Sequence, residues 1–235
     1  MSDITAILFD KDGTLFDFRQ TWGQWTAMFL RDLATTEHQV QALAEAIRFD
    51  LTNEVHLPDS PLIAGTLDDW IGVMAPVVPE IPRDELRRIT RDRSTAAVQV
   101  PATPLLPLLG LLRARGYPLG VATNDGIAPV TQQLRNAGID HLFDYVAGYD
   151  SGFGAKPGPG MLLGFADHVD VEASKVVMIG DSTHDMEAAA AAGMRRVAVL
   201  TGYATAEDLA PHAEVVLPSI AELPRWLDRM ANPTG

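Results

Sequence analysis

Short apolar segments alternate with helix-like stretches along most of the chain, and this alternation restricts the possible folds more than any other feature of the sequence. The first apolar segment, residues 4–9, stops at Asp10. Further segments of this kind are residues 117–123, 144–147, 175–179, 197–200 and 215–217. Between them the spacing predicts helices over residues 105–115, 127–137 and 160–168, and another that ends at residue 192. Strands that alternate with helices of about 10–15 residues predict an α/β fold, a doubly wound parallel sheet with helices on both faces.

Residues 16–98 lack this alternation. Their apolar side chains, which include Trp22, Trp25 and Trp70, recur at helical spacing without a clear strand between them. Such spacing is typical of amphipathic helices, whose apolar faces pack together. We therefore predict an inserted α-helical domain at residues 16–98, in a core domain made of residues 1–15 and 99–235. We expect the tryptophans to pack inside the insert.

The charge of the chain excludes several kinds of partner. It has 31 Asp and Glu residues against 18 Lys and Arg, a net charge of −13, which repels nucleic-acid backbones and anionic membrane surfaces. One dense basic cluster is interleaved with acidic residues, which favours a solvated helix face over a binding patch. Its members are Arg83, Arg87, Arg88, Arg91 and Arg93. We therefore expect no nucleic-acid partner and no membrane partner.

The cysteine content and the N-terminus bear on the compartment. The chain contains no cysteine, so disulfides, a thiolate nucleophile and cysteine-type zinc sites are excluded. Residues 1–5 lack the basic flank and apolar stretch of a signal peptide, and no apolar run approaches the roughly 18 residues of a membrane span. We expect a soluble cytoplasmic protein, and the sequence leaves its oligomeric state open.

Two pairs of carboxylates follow predicted strands. Asp10 and Asp12 come directly after the first strand, and Asp181 and Asp185 follow the strand that ends at residue 179. Ligands of open parallel sheets bind at the carboxyl ends of the strands, where one carboxylate can attack as a nucleophile while its neighbour transfers protons. The second pair offers hard oxygen ligands for Mg²⁺. Each pair also fits an ordinary polar turn or the acidic first turn of a helix.

Two further segments suit an anion. Thr123 and Asn124 lead from a predicted strand into a helix, where a hydroxyl and backbone N–H groups can bind a phosphate oxygen. Lys156 lies in a glycine-rich loop and can bind phosphate as a point charge, although Pro157 stands where a P-loop needs Ser or Thr. The alternatives are a helix cap at Asn124 or Asp125 and a surface lysine. Only three of the 18 basic residues are lysines, which favours a specific role for Lys156.

Together, and in this order, the motifs resemble those of the haloacid dehalogenase superfamily. The matching segments are Asp10-Lys11-Asp12-Gly13-Thr14, Thr123-Asn124, Lys156-Pro157, and Gly180-Asp181 with Asp185. A helical insert directly after the first motif is similar to the cap of the phosphoglycolate phosphatase-like branch. Lys11 departs from that branch, where an apolar or smaller residue is frequent at this position.

The resemblance implies a Rossmann-like core and a Mg²⁺-dependent phosphatase. Its substrate would be a small phosphorylated metabolite, a phosphate monoester that is phosphoglycolate-like or a sugar phosphate. Asp10 would be the nucleophile that forms an aspartyl-phosphate. Asp12 would protonate the leaving alcohol and then activate the water that hydrolyses the intermediate.

The resemblance also implies the binding groups. The phosphoryl oxygens would contact Thr123, the Asn124 backbone and Lys156. The metal ligands would be Asp10, the main-chain carbonyl of Asp12, and Asp181, while Asp185 would orient the site without binding the ion. His184 has no second histidine at ligand spacing, so we expect it to be a surface or loop residue.

Three other functions share parts of this pattern. A haloacid dehalogenase uses the same scaffold but needs neither a metal nor a leaving-group acid, so Asp12, Asp181 and Asp185 argue against it. A sugar phosphomutase uses the same motifs and differs in its cap. A catalytically silent binding module would lack the nucleophile or a metal ligand. The substrate stays open among phosphoglycolate, a sugar phosphate and a nucleotide, and the residues near the insert that could contact it are Phe16, Asp17, Phe18, Arg19 and Trp22.

Overall fold

The structure is a computed structural model that describes residues 4–231. It contains a six-stranded parallel sheet and a two-stranded antiparallel ladder. In chain order the strands are β1 (Ala6–Phe9), β2 (Phe49–Asp50), β3 (Val55–His56), β4 (Leu119–Ala122), β5 (Tyr145–Ala147), β6 (Val176–Gly180), β7 (Arg195–Val199) and β8 (Val215–Leu217). The helices are α1 (Phe18–Leu33), α2 (Glu37–Ala46), α3 (Leu67–Met74), α4 (Arg83–Thr95), α5 (Leu105–Ala114), α6 (Ile127–Asn136), α7 (Gly160–His168), α8 (Thr183–Ala192), α9 (Ala206–Leu209) and α10 (Leu223–Ala231). Short 3-10 turns are formed by Asp140–Leu142, Ala173–Lys175 and Ile220–Glu222.

Strand β1 lies inside the six-stranded sheet, whose order is β5-β4-β1-β6-β7-β8. It pairs in parallel with β4 on one side and with β6 on the other. Its side chains alternate between two apolar clusters, with Ile7 and Phe9 in the first and Ala6 and Leu8 in the second. Helices α5, α6 and α10 complete the first cluster, and α7 and α8 complete the second. The predicted doubly wound parallel sheet with helices on both faces is therefore confirmed.

Two helices of the sheet region do not appear in the sequence-based prediction. Helix α9 has four residues, too few for a helical repeat to be recognised. Helix α10 carries Pro224 at its second position, which resembles a helix break although proline is tolerated in the first turn of a helix. Trp226 and Leu227 of α10 nevertheless pack into the first apolar cluster.

The insert has an apolar cluster of its own, separate from the two clusters on the sheet. Phe29, Leu30, Leu43, Ile71 and Leu86 are among its buried members. The segment is mainly helical, as predicted, but the expectation that it holds no strand is wrong, because β2 and β3 pair within it. Each of these strands has two residues, too few for an alternating pattern to be recognised.

The division of the chain into a core domain and an insert at 16–98 stays a prediction. Residues 1–3 and 232–235 of the predicted core lie outside the described residues, and so do the first three of the residues that argued against a signal peptide. Two segments connect the insert to the sheet, and they lie side by side. The N–H of Asp17 donates to Val100 O at 2.8 Å, and Phe16 forms backbone bridges with both Asp12 and Pro101.

The predicted solvated helix face is α4. Arg88 pairs with Glu85 and Asp92 of the same helix, and its side chain is about half exposed. Arg87 pairs with Asp68 of the neighbouring helix α3. Within residues 4–231, no helix is both long enough and apolar enough to cross a membrane.

His56, on β3, is a buried titratable group in the insert. Its ring lies between the hydroxyls of Thr26, 3.1 Å from Nε2, and Ser60, 3.2 Å from Nδ1. Phe18 and Phe49 pack edge-on against the same ring. Burial lowers the pKa of His56 from 6.5 to about 4, so the folded protein holds a neutral imidazole at neutral pH.

Replacing His56 with glutamine should make the free energy of unfolding fall less between pH 7 and pH 5. Between pH 6.5 and pH 4 the unfolded chain binds a proton that the folded chain does not, because the folded pKa is depressed. The contribution of the neutral His56 ring to the free energy of unfolding is therefore complete above pH 6.5. It is lost as the pH falls, by about 2 kcal/mol between pH 7 and pH 5. Urea unfolding at both pH values measures the difference. His212→Gln, at an exposed position, should leave the slope unchanged, and an unchanged slope in His56→Gln would contradict the assignment.

Candidate active site

The predicted site residues meet where neighbouring strands of the sheet end. Asp10 follows β1, Thr123 follows β4, and Asp181 follows β6. Because β1 lies between β4 and β6, their carboxyl ends come together at one edge of the sheet. A cavity of about 290 Å³ opens there, lined by Asp10, Asp12, Thr123, Asn124, Lys156 and Asp181 from the sheet side. Phe18, Trp22, Leu62, Trp70 and Arg91 line it from the insert.

Lys156 occupies the centre of this group. Its Nζ lies 2.6 Å from Asp10 Oδ1, 2.6 Å from Asp185 Oδ1 and 2.9 Å from the carbonyl oxygen of Ala122. Burial lowers the pKa of Lys156, but the two carboxylates outweigh that effect and raise the pKa overall, so the side chain stays an ammonium. The alternative of a surface lysine is wrong, because the residue is buried.

Three buried carboxylates share a small volume beside Lys156. One oxygen each of Asp10, Asp181 and Asp185 lies within 4.8 Å of the others. Burial raises the pKa of Asp10 to about 7, an effect that Lys156 opposes and Asp185 increases. Burial likewise raises the pKa of Asp181 well above its ordinary value, and the charges of Asp10 and Asp185 add to the rise. Like charges in a protein interior favour a bound cation, which removes their repulsion.

Asp181 and Asp185 differ in their neighbours. Asp185 is fully engaged, since Oδ1 binds Lys156 and Oδ2 accepts from the backbone N–H and the hydroxyl of Ser182. Asp181 accepts a long hydrogen bond of 3.4 Å from Thr14 Oγ1. Within residues 4–231, neither a lysine nor an arginine pairs with Asp181. Asp181 therefore fits a metal ligand better than Asp185 does.

Asp12 is held by two nitrogen groups. Its Oδ2 lies 2.6 Å from Lys11 Nζ, and its Oδ1 accepts a hydrogen bond of 2.8 Å from Trp22 Nε1 of the insert. Lys11 is completely buried and also lies 3.4 Å from Asp125 Oδ2. Burial lowers the pKa of Lys11, but Asp12 and Asp125 raise it by more, so the side chain stays protonated. The sequence marked Lys11 as unusual without indicating these contacts.

The segment after β4 positions several backbone groups. The Asn124 side chain donates to the carbonyls of Lys156 and Ala64, at 3.0 and 2.9 Å, and its Oδ1 accepts the Lys156 N–H at 2.8 Å. Thr123 is buried, and its hydroxyl accepts the N–H of Asp125 at 3.1 Å. Neither Asn124 nor Asp125 is the N-cap of α6, which is Gly126. The side chain of Asn124 thus holds the loop that carries Lys156, called the lysine loop below, and connects it to Ala64 of the insert.

The prediction for His184 is wrong. It is the second residue of α8, half-buried, and it lines the cavity instead of lying on the surface or in a loop. Its place three residues after Asp181, at the start of a helix that follows a strand, is the sequence signal that would have indicated this. Trp22 and Trp70 also line the cavity, so their role extends beyond packing of the insert.

The chain resembles known proteins over most of its length. Its sequence matches the model of the haloacid dehalogenase-like hydrolases over residues 7–199. The phosphoglycolate phosphatase of Escherichia coli K12 is 32% identical over 234 residues, which cover 94% of this chain and 91% of that protein.

Two solved structures have the same fold. A predicted phosphoglycolate phosphatase from Haemophilus somnus superposes with a TM-score of 0.73 at 20% identity, covering 96% of this chain and 99% of that one. A β-phosphoglucomutase from Clostridium difficile superposes with a TM-score of 0.63 at 16% identity, covering 97% and 99%. At these identities the likeness shows the fold alone, and the fold is therefore shared by proteins named for different reactions.

If the three buried carboxylates bind a divalent cation, Gly202→Ala should weaken that binding about 10- to 100-fold, as expected when a group that orients a metal ligand is disturbed. A Cβ at position 202 would lie 1.7 Å from Asp181 Oδ2, so the carboxylate has to move. Calorimetric titration of the protein with Mg²⁺ measures the effect. Gly110→Ala is the matched control, since nothing lies within 4 Å of the added Cβ. Unchanged affinity in Gly202→Ala would exclude Asp181 as a ligand.

Proposed function

The chain belongs to the haloacid dehalogenase-like hydrolase family, and from this premise we propose that it is a phosphatase for a small phosphorylated metabolite. One observation carries the proposal. The buried Asp10 carboxylate lies 2.6 Å from the Lys156 ammonium, and both line one cavity with a second carboxylate, Asp12. A nucleophile, a cation for phosphate and a proton donor are thus available to one ester. Relatives named phosphoglycolate phosphatase, which match nearly the whole chain, support the same activity.

Asp10 is the proposed nucleophile. An oxygen of its carboxylate forms a bond to phosphorus while the bond between phosphorus and the ester oxygen breaks, and the bonding electrons leave with that oxygen. The product of this step is an aspartyl-phosphate on Asp10 and a free alcohol. Lys156, which contacts Asp10 Oδ1, keeps a positive charge beside the carboxylate as the dianionic phosphate approaches.

Asp12 is the proposed proton donor and acceptor. In the first step its carboxyl group gives a proton to the departing oxygen, which avoids release of an alkoxide. In the second step the resulting carboxylate takes a proton from the water that attacks the aspartyl-phosphate, so phosphate is released and both aspartates return to their starting forms. Only Lys11 separates the two residues, and both follow the end of β1, which supports this division of work.

The transferring phosphoryl group needs positive and hydrogen-bonding groups around its oxygens. We assign these contacts to the Thr123 hydroxyl, the Asn124 backbone N–H and the Lys156 ammonium, all of which belong to residues that line the cavity. Asn124 supports the assignment because its side chain holds the backbone of Lys156 through two hydrogen bonds.

The buried carboxylates fit a divalent cation, and we propose Mg²⁺ because carboxylate and carbonyl oxygens are its preferred ligands. Asp10, the main-chain carbonyl of Asp12 and Asp181 would hold it. Asp185 would act through Lys156, since both of its oxygens already bind protein groups. When bound, the ion offsets the repulsion between Asp10 and the phosphate.

The substrate is proposed to be small, phosphoglycolate-like or a sugar phosphate. The names of the relatives favour the first. Phe18, Trp22 and Trp70 line the insert side of the cavity, and in this proposal they contact the leaving group of either substrate. A dehalogenase needs no proton donor for its leaving group, so the presence of Asp12 beside Asp10 favours ester hydrolysis.

Phosphatase activity should require a divalent cation. A panel of phosphoglycolate, sugar phosphates and nucleoside monophosphates, assayed by release of inorganic phosphate, should show turnover with Mg²⁺ and a reversible loss with EDTA. Full activity in EDTA would contradict the metal assignment. Conversion of a sugar phosphate to its isomer without phosphate release would identify a mutase instead.

Asp10→Asn should lower kcat by about a thousandfold or more, because an amide oxygen cannot form the covalent intermediate. The circular dichroism spectrum should stay that of the parent protein. Asp167→Asn, an exposed aspartate of α7, is the matched control and should keep full activity. Substantial Mg²⁺-dependent turnover by Asp10→Asn would exclude Asp10 as the nucleophile.

A further inference from the structure

Lys11 is a buried charge that the proposed chemistry does not use. Its side chain is completely buried, and its ammonium lies 2.6 Å from Asp12 Oδ2 and 3.4 Å from Asp125 Oδ2. The centroid of the Trp22 ring lies 5.6 Å from the Lys11 ammonium. Asp12, Asp125 and Trp22 line the cavity, whereas Lys11 lies behind them, so it does not touch a substrate.

Burial of an ammonium is unfavourable unless its partners compensate, and the composition of the chain makes a lysine here unusual. Arginine supplies 15 of the 18 basic residues. Of the three lysines, Lys156 lies in the site, Lys175 is half exposed, and Lys11 is buried between two carboxylates. Lysine carries its charge as a compact ammonium, and here that ammonium lies close to both carboxylates.

Lys11 links Asp12 to Asp125 through two ion pairs, and Asp125 is itself held by hydrogen bonds. Asp125 Oδ1 accepts the Gly126 N–H at 2.7 Å, and the Asp125 N–H donates to the Thr123 hydroxyl at 3.1 Å. The Asp125 carbonyl accepts the N–H of Tyr149 at 3.1 Å. Lys11 therefore connects a firmly held residue after β4 to the carboxylate of Asp12 after β1.

We propose that Lys11 and Asp125 are positioning residues that hold the Asp12 carboxylate in the orientation for proton transfer to the leaving group. Lys11 binds Oδ2, and the neutral Trp22 Nε1 donates to Oδ1. Oδ1 is therefore the oxygen that no ammonium holds, and we assign to it the exchange of the proton with the departing oxygen. The inference rests on the proposed function, in which Asp12 is the proton donor.

This role makes the effect of a substitution depend on the leaving group. An acidic phenol departs without a proton, whereas a basic alcohol needs one at the moment the bond breaks. p-Nitrophenyl phosphate and benzyl phosphate have similar size and shape but differ in this respect. The ratio of their kcat/KM values therefore reports proton donation, while effects on folding or on phosphate binding cancel in the ratio.

Lys11→Met removes the charge and keeps the length and apolar stem of the side chain. With Mg²⁺ present, kcat/KM should fall roughly 10- to 100-fold for benzyl phosphate and stay within about threefold for p-nitrophenyl phosphate. Lys175→Met, at a half-exposed position, is the matched control and should change neither value. Equal losses on both esters would overturn the proposal and indicate a purely structural role.

Asp12→Asn separates this inference from the proposed function. It should itself lower the benzyl to p-nitrophenyl ratio, and Lys11→Met added to it should lower the ratio no further. If Asp12→Asn left the ratio unchanged in an active enzyme, the proton-donor role of Asp12 would be wrong. If Asp12→Asn lowered the ratio and Lys11→Met did not, the inference about Lys11 alone would be wrong.

Asp125→Asn provides a second route if Lys11→Met does not fold. The amide oxygen can still accept the Gly126 N–H, but the charge that holds Lys11 from the far side is gone. The ratio should fall in the same direction by a smaller factor, about threefold to tenfold. An unchanged ratio in a folded Asp125→Asn protein would overturn the proposal.

Discussion

The contact of the Lys156 ammonium with Asp10 and Asp185 is the interaction on which the site depends. Both distances are 2.6 Å, and all three side chains are buried. Charges in a protein interior are tolerated only with close partners of opposite charge, so both carboxylates depend on the Lys156 ammonium and the ammonium depends on them. The lysine loop, the end of β1 and the first turn of α8 are held together by this requirement, and Asn124 adds the hydrogen bonds that fix the loop itself.

The parallel sheet makes that contact possible between residues that are far apart in sequence. β1 lies between β4 and β6, so a residue that follows any of the three strands lies at the same edge. The β1 end is tied to the β6 end, since the Asp10 N–H donates to Ile179 O at 2.8 Å. Small residues then allow close packing, because a Cβ at Gly13 would lie 2.3 Å from Asp181. The glycine after Asp12 therefore serves the packing of a carboxylate from another strand.

The sequence predicted the strands that carry the site, because a buried parallel strand is a short apolar run and the functional residue stands where the run stops. It also predicted which polar residues meet, since parallel strands end at one edge. It did not predict the ladder β2–β3 or helix α9, whose two and four residues give no repeat. It also did not predict two contacts of side chains, the ion pair between Lys11 and Asp125 and the hydrogen bond between Trp22 and Asp12. Such contacts depend on how the insert and the loops pack in three dimensions, which local spacing does not encode.

The side-by-side links at Asp17 and Val100 have a consequence for how such a protein can change over evolutionary time. The segment that leads from the sheet into the insert lies beside the segment that leads back. An insert of different length or sequence can therefore replace this one without moving the strands apart. Under the proposed function, the residues that contact the leaving group can therefore change in one part of the chain while the reacting aspartates stay in the other. One contact crosses between the two parts, since Trp22 of the insert donates to Asp12 Oδ1, and a replacement without a donor at this place would lose it.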